Sequence, residues 1–159
     1  VTDYAPLADR LASLAEADPD REVCGFVVAD ARGGLSVVPM PNVAGEGKGF
    51  EEPGQDSREA FLVDPGAHLA LARRLRVEGG RIAAVYHSHV GGPAFLSRAD
   101  VAGAVDGDAP VLPGADQIVI GMKSGKSQEI KVFGWGIGGF SLAGALPVPL
   151  ARRVARGAR

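Results

Sequence analysis

The opening of the chain repeats its apolar residues at helical steps. Tyr4, Leu7, Leu11 and Leu14 recur three and four positions apart, the spacing of one helix face. They predict a helix over 4–17, ended near Asp18-Pro19 because the residue before a proline is pushed out of the helical region. The period then shortens. Val23 to Ala29 and Leu35 to Met40 are compact apolar runs around Ala31-Arg32-Gly33-Gly34, which reads as a hairpin. Between Pro41 and Ser57 the pattern lapses into four glycines and two prolines, predicting a long loop with a short strand at Phe50 inside it. Loops of that length in small domains tend to be functional or mobile.

Periodicity resumes with a third strand expected over 59–63. Asp64-Pro65 then opens a second helix with proline in its first turn, whose apolar face is read as Leu69, Leu71, Ala72 and Leu75 and which Gly79-Gly80 stops. Arg81 to Tyr86 forms an apolar strand that delivers His87 and His89 at its C-terminal end. Residues two apart on a strand point to one face, so the two imidazoles lie side by side. A glycine-rich turn leads to a helix over 97–105. Gln117 to Met122 and Glu129 to Trp135 form a last hairpin around Lys123-Ser124-Gly125-Lys126, with Trp135 packing on it. Beyond residue 136 lie a glycine-rich strand near Phe140, a proline-broken segment and an Arg-rich end read as a short frayed helix. This order predicts an α/β (α+β) class, with a mixed, partly antiparallel sheet flanked by helices. One domain spans residues 1–159, with 136–159 as a flexible C-terminal tail.

Composition narrows the functions. A chain of 159 residues suits one core. Its formal charge of −2 provides no broad basic field for nucleic acid and no polybasic arm for membranes, so neither is an expected partner. No window reaches the eighteen or so apolar residues of a membrane span, and the N-terminus lacks the continuous apolar stretch of a signal peptide. A single cysteine, Cys24, forms no internal disulfide and points to a reducing, cytoplasmic setting.

Chemistry concentrates in His87-Ser88-His89, followed seven residues later by Ser97 and then by Asp100. Catalytic zinc sites keep three protein ligands, usually imidazole or carboxylate, and leave the fourth position to water. His87, His89 and Asp100 supply that set, and the Ser97 hydroxyl supplies a donor for a developing oxyanion. A structural reading stands beside this one, because Ser-x-x-Asp is also a helix capping box. The two are compatible: a residue at a helix start can cap and still face a site. The residues alone leave the base open among Glu16, Glu22, Glu51, Glu52 and Glu59.

The pattern His-Ser-His-x7-Ser-x-x-Asp in Tyr86 to Asp100 resembles the signature of the JAMM (MPN+) zinc metalloproteases. Glu22-Val23-Cys24-Gly25-Phe26 is similar to the Glu-x-Cys-Gly segment of the family's short prokaryotic members, and Phe61-Leu62-Val63-Asp64-Pro65 precedes the crossover helix as in that family. The resemblance covers residues 4 to 135. It implies a cytidine-deaminase-like JAMM/MPN fold, one Zn2+ with a bound water held by His87, His89 and Asp100, Glu22 as general base and acid, and Ser97 on the oxyanion side. It further implies a peptidase or isopeptidase cutting after the C-terminal Gly-Gly of a ubiquitin-like or sulfur-carrier protein, with loop 41–57 and turn 90–96 as groove walls. A homodimer is left open. Val90 and Leu96 stand where the family commonly has proline, which predicts a more adjustable turn, with Pro93 compensating.

Other candidates carry less. His68 is expected as a surface or cap-proximal residue, and Cys24 as a small core residue. Gly45-Glu46-Gly47-Lys48-Gly49 lacks the spacing of a phosphate-binding loop. Two further function classes stand beside the carrier-protein peptidase: a non-catalytic MPN-like interaction module, and a zinc peptidase acting on a cell-wall or phage-related peptide.

Overall fold

The computed structural model describes residues 2–47 and 56–149. The strand expected at Phe50 and the helix expected in the Arg-rich end lie outside the described residues. The N-terminal helical face is realised in two pieces, a 3-10 turn at Ala5–Leu7 with proline in its first turn and α1 at Ala8–Ala17. Tyr4, Ala8, Leu11, Ala12 and Ala15 are buried, with Leu7 and Leu14 at the margin of the same cluster. The Tyr4 hydroxyl lies 2.8 Å from both the Ala83 carbonyl and Asp116 Oδ2, pinning the start of the chain to the sheet.

β1 (Cys24–Ala29) and β2 (Leu35–Met40) form the first hairpin. α2 (Pro65–Glu78) starts where Asp64 caps it, its Oδ2 accepting from the Ala67 N–H, and stops at Gly79, whose φ of 73° is left-handed. Then come β3 (Arg81–His89), α3 (Arg98–Ala104), the two-residue strands β4 (Val105–Asp106) and β5 (Ala109–Pro110), β6 (Asp116–Lys123), β7 (Lys126–Gly136) and β8 (Gly139–Leu146). Ser124 and Gly125, both at positive φ, close the β6–β7 hairpin, as a tight turn between right-twisted strands requires.

The large sheet has the order β2-β1-β3-β6-β7-β8. Only the β3–β6 pair among these is parallel, and the crossover between them contains α3 and the β4–β5 pair. Helices cover both faces. The cluster centred on Leu11, Val27, Tyr86, Ile118 and Ile130 lies under α1, while Phe26, Val28 and Val85 pack against Leu71 and Leu75 of α2. A fully buried leucine contributes about 1.5–3 kcal/mol, so two per α2 are enough to seat it. No described helix is long and apolar enough to cross a membrane.

Three expectations are corrected. Leu69 and Ala72 are exposed, and the buried residues of the helix are Leu71 and Leu75, four apart, which face the sheet. Residues 59–63 form no strand. Only the isolated bridge Asn42–Val63 is present, because the Asn42 side chain takes the place of a ladder. Its Nδ2 donates to the Glu22 and Ala60 carbonyls, and its Oδ1 accepts from the Ala44 and Leu62 N–H groups. Within the stretch read as a flexible tail, the glycine-rich strand expected near Phe140 is present as β8, but it pairs along β7 in the main sheet and Val148 is buried in the α1-side cluster. Trp135, expected to pack on the β6–β7 hairpin, meets Phe140 across the β7–β8 hairpin at 5.0 Å.

Candidate metal centre

Strand alternation sets the first two candidate ligands. His87 and His89 lie on the α2 side of the C-terminal end of β3, both buried. Their Nε2 atoms are 3.1 Å apart, and Asp100 Oδ2 is 3.3 Å from each. Three ligand atoms therefore form a nearly equilateral triangle. Zinc bonded at about 2.0–2.1 Å to nitrogen or oxygen in a tetrahedron separates its ligands by about 3.3–3.4 Å. The residues fit a small tetrahedral cation with shifts of only a few tenths of an ångström.

The proton positions agree with that fit. His89 Nδ1 lies 2.8 Å from the Pro93 carbonyl, an acceptor only, so Nδ1 carries the proton and a neutral His89 presents the Nε2 lone pair to the triangle. His87 Nδ1 is buried without a partner among the described residues, and Phe61 stacks on the ring at 4.4 Å. Burial pushes the His87 pKa down. For His89 burial acts downward too, but Asp100 and the Pro93 carbonyl outweigh it and the net shift is upward. Burial acts to raise the Asp100 carboxyl, but an imidazole protonated on Nε2, as in the metal-free protein at low pH, donates to it and holds it far below the usual range instead.

Asp100 reaches the triangle from α3 through a capping box. Ser97 Oγ accepts from the Asp100 N–H at 3.1 Å, and Asp100 Oδ2 accepts from the Ser97 N–H at 2.8 Å. Both readings of Ser-x-x-Asp thus coexist in one arrangement. The Ser97 hydroxyl is engaged as an acceptor, which leaves its proton to donate.

Glu22 lies just before β1. In the β1–β3 register Cys24 opposes His87, and two more steps bring Glu22 level with His89. Main-chain bonds hold it there: the Glu22 N–H donates to the Ser57 carbonyl at 2.6 Å, and its own carbonyl accepts from Asn42. Ser88, between the two histidines, locks the next residue. Its Oγ accepts from the Val23 N–H, and its N–H donates to the Val23 carbonyl. The Glu22 side chain is 6% exposed, its Oε2 has no partner among the described residues, and burial pushes its pKa up to about 8. Asn42 and Ser88 are the positioning residues that sequence reading missed; an asparagine between two irregular segments was the only available signal.

The turn after His89 is not loose. Besides the His89–Pro93 bond, the Ala94 N–H donates to Glu129 Oε1 at 2.8 Å and the Met122 N–H to the Gly92 carbonyl at 3.0 Å. Three hydrogen bonds tie residues 92–94 of the turn to β3, β6 and β7. Phe95, half-exposed, meets the His89 ring edge-on at 5.1 Å. A cavity of about 510 Å3 adjoins Asp100, lined mainly by apolar groups including Phe61, Val63 and Val111, with His68 in its wall. His68 is in the first turn of α2, cap-proximal as expected, where it is half-buried against Phe26 at 4.8 Å and burial lowers its pKa. Cys24 is a buried core thiol, pushed up to about 12 by burial and then by Glu22.

Comparison with known proteins agrees with this architecture. A family model described as prokaryotic homologs of the JAB domain (Prok-JAB) matches residues 4–130. No curated protein matches the chain. Among solved structures, a protein from Desulfitobacterium hafniense, determined in solution, is similar at a TM-score of 0.60 and 23% identity, over 84% of this chain and 83% of that one. One from Salinibacter ruber is similar at 0.54 and 17% identity, over 94% and 92%. At these identities the likeness concerns the fold.

Proposed function

The chain belongs to the Prok-JAB family, and from that membership, together with a triangle of ligand atoms beside a buried carboxyl, we propose that it is a zinc-dependent peptidase or isopeptidase. The observation that carries this reading is the mutual 3.1–3.3 Å spacing of His87 Nε2, His89 Nε2 and Asp100 Oδ2. A non-catalytic interaction module of the same fold has no use for three convergent ligand atoms.

His87, His89 and Asp100 would hold the ion. Zinc, when bound, supplies a Lewis acid and brings the pKa of water to about 7. Glu22 takes a proton from the attacking water and returns it to the leaving amine, a role suited to a buried carboxyl whose Oε2 has no partner among the described residues. The Ser97 O–H donates to the developing oxyanion, an interaction typically worth about 2.7–4 kcal/mol in the transition state.

The substrate in this reading is a ubiquitin-like or sulfur-carrier protein cut after its C-terminal Gly-Gly, in the cytoplasm. Two glycines allow the backbone to approach the site closely, and the apolar cavity beside Asp100 offers room for the residues that precede them. The test is direct. Elemental analysis is expected to find about one zinc per chain, lost in Asp100→Ala, and Glu22→Ala is expected to keep zinc but lose turnover of a carrier-protein adduct. A wild-type protein that binds no zinc removes the enzyme reading, and a fully active Glu22→Ala removes the base.

A further inference from the structure

His89, Gly121 and Glu129 occupy one row across three strands. His89 pairs with Gly121 between β3 and β6, and Gly121 pairs with Glu129 between β6 and β7. Gly121 has no side chain to fill the middle of the row, and the peptide group joining Pro93 to Ala94 lies there instead. A Cβ on Gly121 would meet Ala94 N at 2.7 Å and Pro93 C at 3.1 Å. That one peptide group is bonded at both ends, its carbonyl to His89 Nδ1 at 2.8 Å and its N–H to Glu129 Oε1 at 2.8 Å.

We propose that Glu129 is a positioning residue for the metal site, acting on His89 through the Pro93–Ala94 peptide. The inference rests on the metal reading above. Metal-binding imidazoles commonly donate their second nitrogen to a carboxylate or a backbone carbonyl, which fixes the tautomer and raises ligand basicity. Here both are used in series. A carboxylate on the amide N–H draws the proton side of the peptide toward it and increases electron density on the carbonyl oxygen, so the two hydrogen bonds strengthen one another. His89 Nδ1–H then meets a stronger acceptor, and Nε2 becomes the better donor toward a cation.

Two further observations support a charged and fixed Glu129. Lys131 Nζ lies 3.1 Å from Glu129 Oε2 and leaves Oε1 to the peptide. Partial burial acts to raise the Glu129 carboxyl, but the Ala94 N–H and Lys131 more than offset it, keeping it ionised. Separately, the Met122 N–H on the Gly92 carbonyl holds the preceding residue of the turn to β6, the strand of Gly121.

The test uses Glu129→Gln and Glu129→Ala. Glutamine still offers an oxygen to the Ala94 N–H but removes the charge and with it the ion pair to Lys131; alanine removes the acceptor. In metal-free protein, the His89 Nδ1–H proton resonance is expected downfield in wild type, less so in Glu129→Gln and least in Glu129→Ala. Competition with a zinc chelator is expected to show affinity about 10–100-fold weaker in Glu129→Ala, with Glu129→Gln between it and wild type. An unchanged His89 resonance in a folded Glu129→Gln overturns the proposal, as does zinc affinity within twofold of wild type in that variant. If wild type binds no zinc, the metal reading fails, while the resonance in metal-free protein still decides whether Glu129 acts on His89.

Discussion

Replacing Glu22 by glutamine is expected to stabilise the metal-free protein even as it abolishes turnover. The carboxyl is 6% exposed and its pKa is raised from 4.5 to about 8, chiefly by burial. Its folded form therefore holds a proton that the unfolded chain releases. Between 4.5 and about 8 the unfolded state binds fewer protons than the folded one, so stability falls as pH rises through that window and stays lower above it. At about 1.36 kcal/mol per pH unit, the full window corresponds to about 5 kcal/mol, of which about 4 kcal/mol falls between pH 5 and pH 9. Glutamine stays neutral throughout.

Urea denaturation of chelator-treated wild type and Glu22→Gln at the two pH values measures the effect. The fixed cost of burying an amide is the same at both, so it cancels in the comparison. The variant's advantage is expected to grow by about 4 kcal/mol from pH 5 to pH 9. An advantage independent of pH would refute the claim that burial of an ionising carboxyl sets the term. Saturating zinc places a divalent cation beside the carboxylate and is expected to shrink the difference.

Other substitutions probe the parts that hold the site. Asn42→Ala leaves two carbonyls and two N–H groups without their partner; a loss of about 2–4 kcal/mol is expected from urea melts, with kcat lowered more than zinc content. Ser88→Ala removes the acceptor for the Val23 N–H and is expected to cost about 1–2 kcal/mol, with zinc affinity by chelator competition retained and kcat reduced as Glu22 loses its fixed start. Gly121→Ala drives a Cβ into the Pro93–Ala94 peptide; calorimetry is expected to show about 1–3 kcal/mol of overpacking, together with weaker zinc binding.

Local pattern carried much of the fold. The second hairpin strand, the Asp64-Pro65 helix start, the two histidines at the end of one strand and the cap at Ser97 all depend on residues within a few positions of one another, and all are found where the spacing puts them. What failed was set by distant partners. Residues 59–63 have the composition of a strand, but Asn42 satisfies their backbone from 18 and 20 positions away. Leu69 fits the apolar repeat, yet the face that α2 turns to the sheet runs along His68, Leu71 and Leu75. Glu22 could be singled out only by family resemblance, because its place opposite His89 depends on the antiparallel β1–β3 register. Glu129 was beyond reach for the same reason, requiring a parallel β3–β6 pair and then an antiparallel β6–β7 pair to come level with His89.

Asp100 shows why the structural and chemical readings of one motif need not compete. A carboxylate oxygen can accept more than one partner, and Asp100 Oδ2 takes the Ser97 N–H at 2.8 Å while standing 3.3 Å from both imidazole nitrogens. α3 has seven residues, none of them buried, too short to be stable by itself and with little apolar packing to seat it. Its capping box therefore has a larger share in fixing the first turn than it would in a long amphipathic helix. Closing that box is the same event that aims the carboxylate at the histidines. Folding of the helix start thus organises the third ligand in advance, so a cation meets a nearly formed triangle and need not order a free side chain.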